Sequence, residues 1–404
     1  MISYHDALTK INNDVSYLNT ETIDLENALN RIVAQNVRAK VSNPNFDNSA
    51  MDGLAVYSED LQDASVKKPI SLEISDIISA GDTSVRLSEK KGTACEIMTG
   101  ARIPDRADAV IKIEDVSIKD KLAIFTRPTE IGNNIRREGE DFKQGDLMIS
   151  TGNKITAEHI MLLASAGICQ IKVYKKIKIA IISTGKELIS RTEELGENKI
   201  YDSNSPYLES IIRNLNIEGK YFGNVYDDKE AFIAKISQIN NEYHPDIIIS
   251  TGAVSKGKWD FIPDTLQDIG FNIIFHKAAI RPGKPILFAK SQTGYYFGLP
   301  GNPRAVTVGF RFFIYPLICT LQHLNSEEAL IAKLKSSFFK KNKLTFFVVG
   351  QLAYNKHGEL EVDILQTQES FRVLPNTIGN CFVMLTEEAK EYKAGELVNI
   401  YRFF

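Results

Sequence analysis

Ile177-Lys178-Ile179-Ala180-Ile181-Ile182-Ser183-Thr184-Gly185 decides the class of this chain. Its apolar run is nearly continuous, as in a strand buried on both faces, and it ends in two hydroxyls and a glycine. Downstream the pattern alternates. Leu208 to Leu215 reads as helix, Asp246-Ile247-Ile248-Ile249 as a second buried strand and Ile262 to Ile269 as helix. Pro285-Ile286-Leu287-Phe288-Ala289 and Tyr295-Tyr296-Phe297-Gly298 read as third and fourth strands, and Arg304 to Leu321 as a long helix. This alternation implies a three-layer α/β domain with a mainly parallel sheet covered on both sides.

The flanks carry other periods. Residues 4 to 36 read as helical, with Ala7, Leu8, Ile11, Val15 and Leu18 at helical spacing and the pattern resumed from Leu25 to Val33. From Ile70 to Ile149 short strands are punctuated by Gly, Asp and Pro, among them Ile77-Ile78, Ala109 to Ile113 and Leu122 to Phe125. That marks a β-rich unit. Ala157 to Ala166 reads as a helix ended by Gly167. After about 330 only strands are expected, at Leu344 to Leu352, Leu360 to Leu365, Cys381 to Leu385 and Leu397 to Tyr401, spaced for a small barrel.

Bulk properties exclude several classes. With 404 residues the chain needs more than one core. A net charge of -3 argues against a general nucleic-acid binder. Met1 to Asp6 has no basic-then-apolar signal pattern. The longest apolar run, Phe310 to Leu321, contains Arg311 and Pro316 and is short for a bilayer, so no membrane role is expected. Cys95, Cys169, Cys319 and Cys381 are far apart, and the six His are scattered. A disulfide framework or structural zinc is thereby disfavoured, and a reducing cytoplasm fits.

Ligands of open parallel sheets bind outside the carboxyl ends of the strands. Three unusual loops lie there. The first is Ser183-Thr184-Gly185-Lys186-Glu187, and the second runs from Ser250-Thr251-Gly252 through Ser255 to Asp260. The third is Gly298-Leu299-Pro300-Gly301-Asn302-Pro303, with Asn302 placed as a helix N-cap and Pro303 at the first helical position. A Gly-flanked helix N-terminus suits a phosphate. No Walker A or dinucleotide fingerprint is present. Lys256, Lys258, Lys277, Arg281, Lys284 and Arg304 lie in or beside these loops, and Arg281-Pro282-Gly283-Lys284 sets two cations on a stiff turn. Carboxylates among such cations suggest a phosphate substrate bridged by Mg²⁺, with Glu187 and Asp260 as ligands. A further polar loop, Asn43-Pro44-Asn45-Phe46-Asp47-Asn48-Ser49-Ala50-Met51-Asp52-Gly53, is expected to present Asp47, Ser49 and Asp52.

That loop resembles a signature of the molybdopterin molybdenumtransferases. So do Ile97-Met98-Thr99-Gly100-Ala101, Arg137-Glu138-Gly139-Glu140-Asp141, the three strand-end loops, Tyr201-Asp202-Ser203-Asn204 and Gly379-Asn380-Cys381-Phe382, in family order. The resemblance spans nearly the whole chain. It implies four domains: an elongated linker domain at 1–42 and 143–175, a β-rich domain at 43–142, an α/β molybdopterin-binding domain at 176–326 and a small β-barrel at 327–404. It also implies a homodimer in which the second domain completes the partner's active site. The implied reaction is molybdate-dependent cleavage of adenylylated molybdopterin, which inserts molybdenum into the dithiolene and releases AMP, with Mg²⁺. By resemblance, Asp52, Asp141, Glu187 and Asp260 are catalytic. Thr99, Ser183, Thr184, Gly185, Asn204, Gly252, Ser255, Pro300, Gly301, Asn302 and Pro303 bind substrate, and Arg281 and Lys284 hold molybdate. The molybdopterin adenylyltransferase is a candidate partner.

The chain departs from the family pattern at several points. Lys186 stands where many members have Asp, and Arg304-Ala305 where many have Val-Ser, which removes a hydroxyl near the oxyanion site. Two other functions compete. The adenylyltransferase shares only the 177–320 type of domain, so the flanking domains argue against it. A non-catalytic scaffold of the same fold would not need the dispersed carboxylates Asp52, Asp141, Glu187 and Asp260.

Overall fold

The computed structural model describes every residue except 14, 17, 83–90, 227, 254–260, 325–326 and 389–390. Ser255, Lys256, Lys258 and Asp260 therefore lie outside the described residues. The chain forms two compact units. One comprises residues 1–21, 30–32 and 173–404; the other comprises 22–29 and 33–172.

The larger unit is built on a six-stranded sheet. Its strands are β1 (Lys178–Thr184), β2 (Glu218–Val225), β3 (Ile247–Thr251), β4 (Asn272–His276), β5 (Leu287–Lys290) and β6 (Tyr295–Leu299). The spatial order is β2-β1-β3-β6-β5-β4. β2, β1, β3 and β6 are mutually parallel, and β5 runs antiparallel to both its neighbours. The third strand expected from the sequence is thus present but reversed, paired in hairpins with β4 and β6. β1 and β3 are buried along almost their whole length, which explains their unbroken apolar runs. Helices α1 (Asn204–Asn214), α2 (Lys229–Glu242) and α3 (Ile262–Asp268) follow β-strands as in βαβ units. β2, β4 and α2 escaped the sequence reading, because Glu218–Val225 and Lys229–Glu242 mix polar and apolar residues without a long run.

The fourth helix, α4, spans Pro303–Leu321 and contains a π-helical segment at Phe310–Ile314. Pro316 lies two residues beyond that segment, where the altered hydrogen-bond ladder tolerates its missing N–H. By length and composition α4 could cross a membrane, unlike the shorter run read from the sequence. However, 83% of its apolar window is buried inside the fold. Its Phe310, Phe312, Phe313, Ile314 and Leu317 form one core with β-strand residues Ile179, Ile249 and Phe297 and with Phe347 and Phe382 of the C-terminal barrel.

That barrel consists of Leu330–Leu334, Thr345–Tyr354, Leu360–Ile364, Cys381–Leu385 and Leu397–Arg402. It closes because Thr345–Tyr354 pairs with both Leu360–Ile364 and Cys381–Leu385. A short helix, Pro375–Ile378, interrupts the expected run of strands. The Gly379-Asn380-Cys381-Phe382 motif is structural. A Cβ on Gly379 would lie 2.3 Å from Val349, and the Asn380 side chain bonds both Leu352 N and O.

The smaller unit carries its own six-stranded sheet, with strands in the order 109–112, 53–56, 93–97, 70–78, 122–125, 117–119. Helix Ala157–Ser165 begins with a capping box between Thr156 and His159. The long N-terminal helix is a correction. Only Tyr4–Asn12 is α-helical; Thr20–Asp24 is a strand and Leu25–Asn27 a single 3₁₀ turn. Leu25, Ile32 and Val33 are buried as expected, but in irregular chain.

Candidate active site

The ends of β1, β3 and β6 converge. Thr184 Oγ1 donates to Thr251 O at 3.1 Å, and Gly252 N donates to Leu299 O at 2.9 Å. Gly252 has φ +95°, and a Cβ there would lie 2.4 Å from Thr184 O. Only glycine lets these two strand ends approach so closely. Gly301 stands 3.8 Å from Gly252 Cα by the same construction, and its carbonyl accepts from Asn204 Nδ2 at 2.8 Å. Gly185, Gly252, Gly301 and Asn204 thus form one surface at the carboxyl ends of the strands. Asn302 occupies the N-cap position of α4, yet its side chain does not cap the helix. Its Nδ2 instead donates to Ser370 Oγ of the barrel at 3.0 Å.

A cleft of about 580 Å³ opens beside β1 and β2, lined by Ser183, Asp202, Ser205, Glu209, Tyr221 and Asn224 among others. Ser183 Oγ and Tyr221 OH are 2.7 Å apart. Asp202 Oδ1 accepts from the Asn204 and Ser205 amides at 3.0 and 3.1 Å. Among the described residues its Oδ2 and the buried Ser205 Oγ have no hydrogen bond within 3.5 Å, although Tyr221 lies close to both. Orphaned buried polar atoms at a cleft wall indicate a polar ligand. Glu187 is exposed and folds back over Gly185, whose Cβ would meet its carboxylate oxygens at 2.6 and 2.7 Å. Among the described residues no three His, Cys, Asp or Glu are grouped to hold a metal.

The expected cationic turn lies at the foot of α4. Ile280 and Arg281 pair with Thr345 and Phe346 of the barrel, and the Arg281 guanidinium sits 5.5 Å from the Phe346 ring centre. The Lys284 carbonyl accepts from Ala278 N at 3.1 Å and from Ile286 N at 3.0 Å, which pins the turn. A Cβ on Gly283 would be 3.6 Å from Ala305 O, so the turn abuts the first turn of α4. Among the described residues neither Arg281 nor Lys284 has an ion pair. Barrel packing, rather than the Pro-Gly sequence alone, holds this turn.

In the smaller unit three sequence motifs meet. Asp52 Oδ1 accepts from Thr99 N at 2.7 Å and from Thr99 Oγ1 at 2.8 Å. These bonds hold the Asp52 carboxyl below the usual carboxylate range. Asn43 Nδ2 donates to Asp141 Oδ2 at 2.9 Å. Asp47 accepts from Arg137 Nη1 at 2.6 Å and from Glu138 N at 2.8 Å. Burial pushes Asp47 upward, but the Glu138 amide and the Arg137 guanidinium outweigh it and leave the carboxyl below its ordinary value. The loop is therefore braced by other segments as well as by Asn48 and Ser49 bonds to its own backbone. Ser49 is not presented: it is fully buried, and its Oγ bonds Met51 O. Gly53 closes the loop because a Cβ there would lie 2.1 Å from Ile111 O.

Three family models cover the chain. The MoeA N-terminal region (domains I and II) matches residues 2–167, a probable molybdopterin binding domain 180–320 and the MoeA C-terminal region (domain IV) 331–403. The chain belongs to the MoeA family. A molybdopterin molybdenumtransferase of Haemophilus influenzae is 35% identical over 398 residues, covering 95% of this chain and 94% of that protein. The Synechococcus elongatus enzyme of the same name is 34% identical over 93% of each chain. A molybdopterin biosynthesis MoeA protein from Pyrococcus horikoshii superposes with a TM-score of 0.86 at 28% identity, covering 100% of this chain and 99% of that one. Molybdenum cofactor biosynthesis and transferase chemistry are the family's province.

Within this MoeA fold the structure gathers Ser183, Thr184, Gly185, Asn204, Gly252, Pro300, Gly301, Asn302 and Pro303 at one end of the larger unit's sheet. Asp52 and Thr99 are bonded in the smaller unit, and Asp141 is held there by Asn43. Tyr221, Asn224 and Ser205 were missed as cleft residues. The first two lie on β2, whose sequence gives no strand signal, and Ser205 follows a recognised motif by one residue.

Proposed function

We propose that this chain catalyses molybdate-dependent cleavage of adenylylated molybdopterin, inserting molybdenum into the dithiolene and releasing AMP. Family membership supports molybdopterin and molybdate as substrates. The observation that carries the finer reading is the strand-end surface at Gly252 and Gly301. It is flanked by a polar cleft and by a turn whose two cations lack ionic partners among the described residues. In this reading the cleft binds the pterin portion, with Asp202, Ser205 and the Ser183–Tyr221 pair as polar contacts. Arg281 and Lys284 attract molybdate. Gly252 and Gly301 let the substrate phosphates approach backbone amides closely.

Mg²⁺ binds through one or two carboxylates plus substrate phosphates. The exposed carboxylate of Glu187 suits that role, with Asp260 as the second ligand. The ion would neutralise phosphate charge. A homodimer is part of the proposal: the exposed Asp52 and Asp141 of one chain would complete the site of its partner. The four-domain division, a cytoplasmic location and a handover from the adenylyltransferase follow from the same reading.

The test is AMP release from adenylylated molybdopterin with Mg²⁺, with and without molybdate. Molybdate-stimulated release is the expected result. No release under either condition would favour the non-catalytic scaffold.

A further inference from the structure

β2 runs parallel to β1 in regular register from Lys178↔Glu218 to Ile181↔Tyr221, but the next pair is Ser183↔Asn224. Between these pairs β1 advances two residues and β2 three, so β2 carries one extra residue. Bulges are rare in parallel pairs. Gly223 sits in this one at φ +93°, a conformation that glycine adopts without strain.

The bulge changes which side chains share a face. On a regular strand, side chains three residues apart point to opposite sides of the sheet. Tyr221 and Asn224 are three apart, yet both line the cleft and both reach Ser183. Ser183 Oγ lies 2.7 Å from Tyr221 OH and donates to Asn224 Oδ1 at 3.4 Å. The other end of the Asn224 amide, Nδ2, donates to Gly185 O at 2.8 Å. Gly185 is thus held by β2 on both sides, since its amide donates to Val225 O at 3.3 Å. The Gly185 carbonyl also accepts from Leu188 N at 3.3 Å, which closes the turn that carries Glu187. β2 is an edge strand, and a bulge can serve merely to blunt an edge. That purpose requires no side-chain amide aimed at the end of the neighbouring strand.

We infer that Gly223 and Asn224 are positioning residues: the bulge turns Asn224 into the cleft, and Asn224 fixes the Ser183–Gly185 strand end in the geometry that receives substrate. This rests on the reading above that the strand end is the substrate site, and adds two residues from a strand that carries none of its motifs. In a regular strand Asn224 would face away from the cleft and the Gly185 carbonyl would lose its side-chain donor.

The test titrates full-length protein with AMP, the proposed product, by calorimetry with Mg²⁺ and without pterin or molybdate. Hydrogen exchange and urea unfolding are followed alongside. Asn224→Leu keeps the bulk and removes the amide. Gly223→Val acts through the backbone, because a Cβ there meets nothing within 4 Å but a β-branched residue does not tolerate positive φ. If that variant fails to fold, Gly223→Ala replaces it. Each is expected to weaken AMP binding about tenfold, near the worth of one hydrogen bond, and to speed exchange in the peptide holding Gly185 and Leu188. The double variant should bind no worse than the weaker single one, because both changes break the same contact. Unchanged AMP affinity in folded Asn224→Leu overturns the inference whatever its urea midpoint, and leaves Asn224 a brace of the sheet edge. Losses that add in the double variant also overturn it, as does wild type that binds no AMP. Wild type that binds AMP, with variants that respond as expected, yet releases none from adenylylated molybdopterin, sinks the functional reading and leaves this inference standing.

Discussion

Replacing Gly252 by alanine tests whether the two strand ends must touch. The new Cβ would lie 2.4 Å from Thr184 O and 2.6 Å from Thr184 Oγ1. Ordinary C···O contact is about 3.3 Å, so one strand end must move by about 0.9 Å. The neighbour is backbone, which cannot rotate away. The φ of +95° adds about 1–2 kcal/mol for any side chain, and overpacking adds about 1–3 kcal/mol. The sum of roughly 2–5 kcal/mol is less than the stability of a typical domain, about 5–15 kcal/mol, so the variant should fold. With urea m-values of about 1–3 kcal/mol/M, its midpoint should drop by roughly 1–2 M. A shift near 1 Å at the site should also cost about 10²-fold in AMP release. Gly301→Ala is the control. Its Cβ would meet only Gly252 Cα, at 3.8 Å, so stability should change by less than about 0.5 kcal/mol. Circular dichroism in urea reads both. An unchanged midpoint for Gly252→Ala, or an equal drop for Gly301→Ala, would refute the close-approach argument.

Lys284→Ala should raise the molybdate concentration needed for half-maximal cofactor formation far more than it weakens binding of the adenylylated pterin. Separate titrations with each ligand decide, and lost pterin affinity with unchanged molybdate dependence would move Lys284 to the phosphates. Mixed Asp52→Ala and Asp260→Ala chains should regain activity that neither variant has alone, because a hybrid dimer rebuilds one complete site. Confirmed subunit exchange without recovery would remove the shared-site proposal. The depressed carboxyls of Asp47 and Asp52 carry a pH signature. Each has a folded pKa below its unfolded value, so its contribution is complete above about pH 4 and is lost as pH falls through the folded value. Urea midpoints measured from pH 5 to pH 2.5 should therefore fall less steeply for Asp47→Asn than for wild type. Parallel slopes would show that the Arg137 and Glu138 contacts add nothing.

Which segments are buried, and where the chemistry-bearing loops fall, follows from the order of residue types alone. Ile179–Ile182 and Ile247–Ile249 had to be interior strands, because seven apolar residues in so little chain cannot face water on either side. Apolar spacing reports burial and not backbone, however. Leu25, Ile32 and Val33 are interior as expected, yet they sit in a 3₁₀ turn and irregular chain, because packing fixed them without needing a helix. Strand direction was also undetermined. β5 looks like any interior strand, and only its pairing with β4 and β6 makes it antiparallel. At the site, residue order marked Asp52, Thr99, Asn43 and Asp141 without saying that they bond in pairs 47 and 98 residues apart. Tyr221 entered the cleft wall because β2 lies beside β1. The Arg304 charge was visible in the sequence. Its burial and its Gln368 partner were not, because they depend on the groups the fold packs around it, and Gln368 comes from 64 residues away.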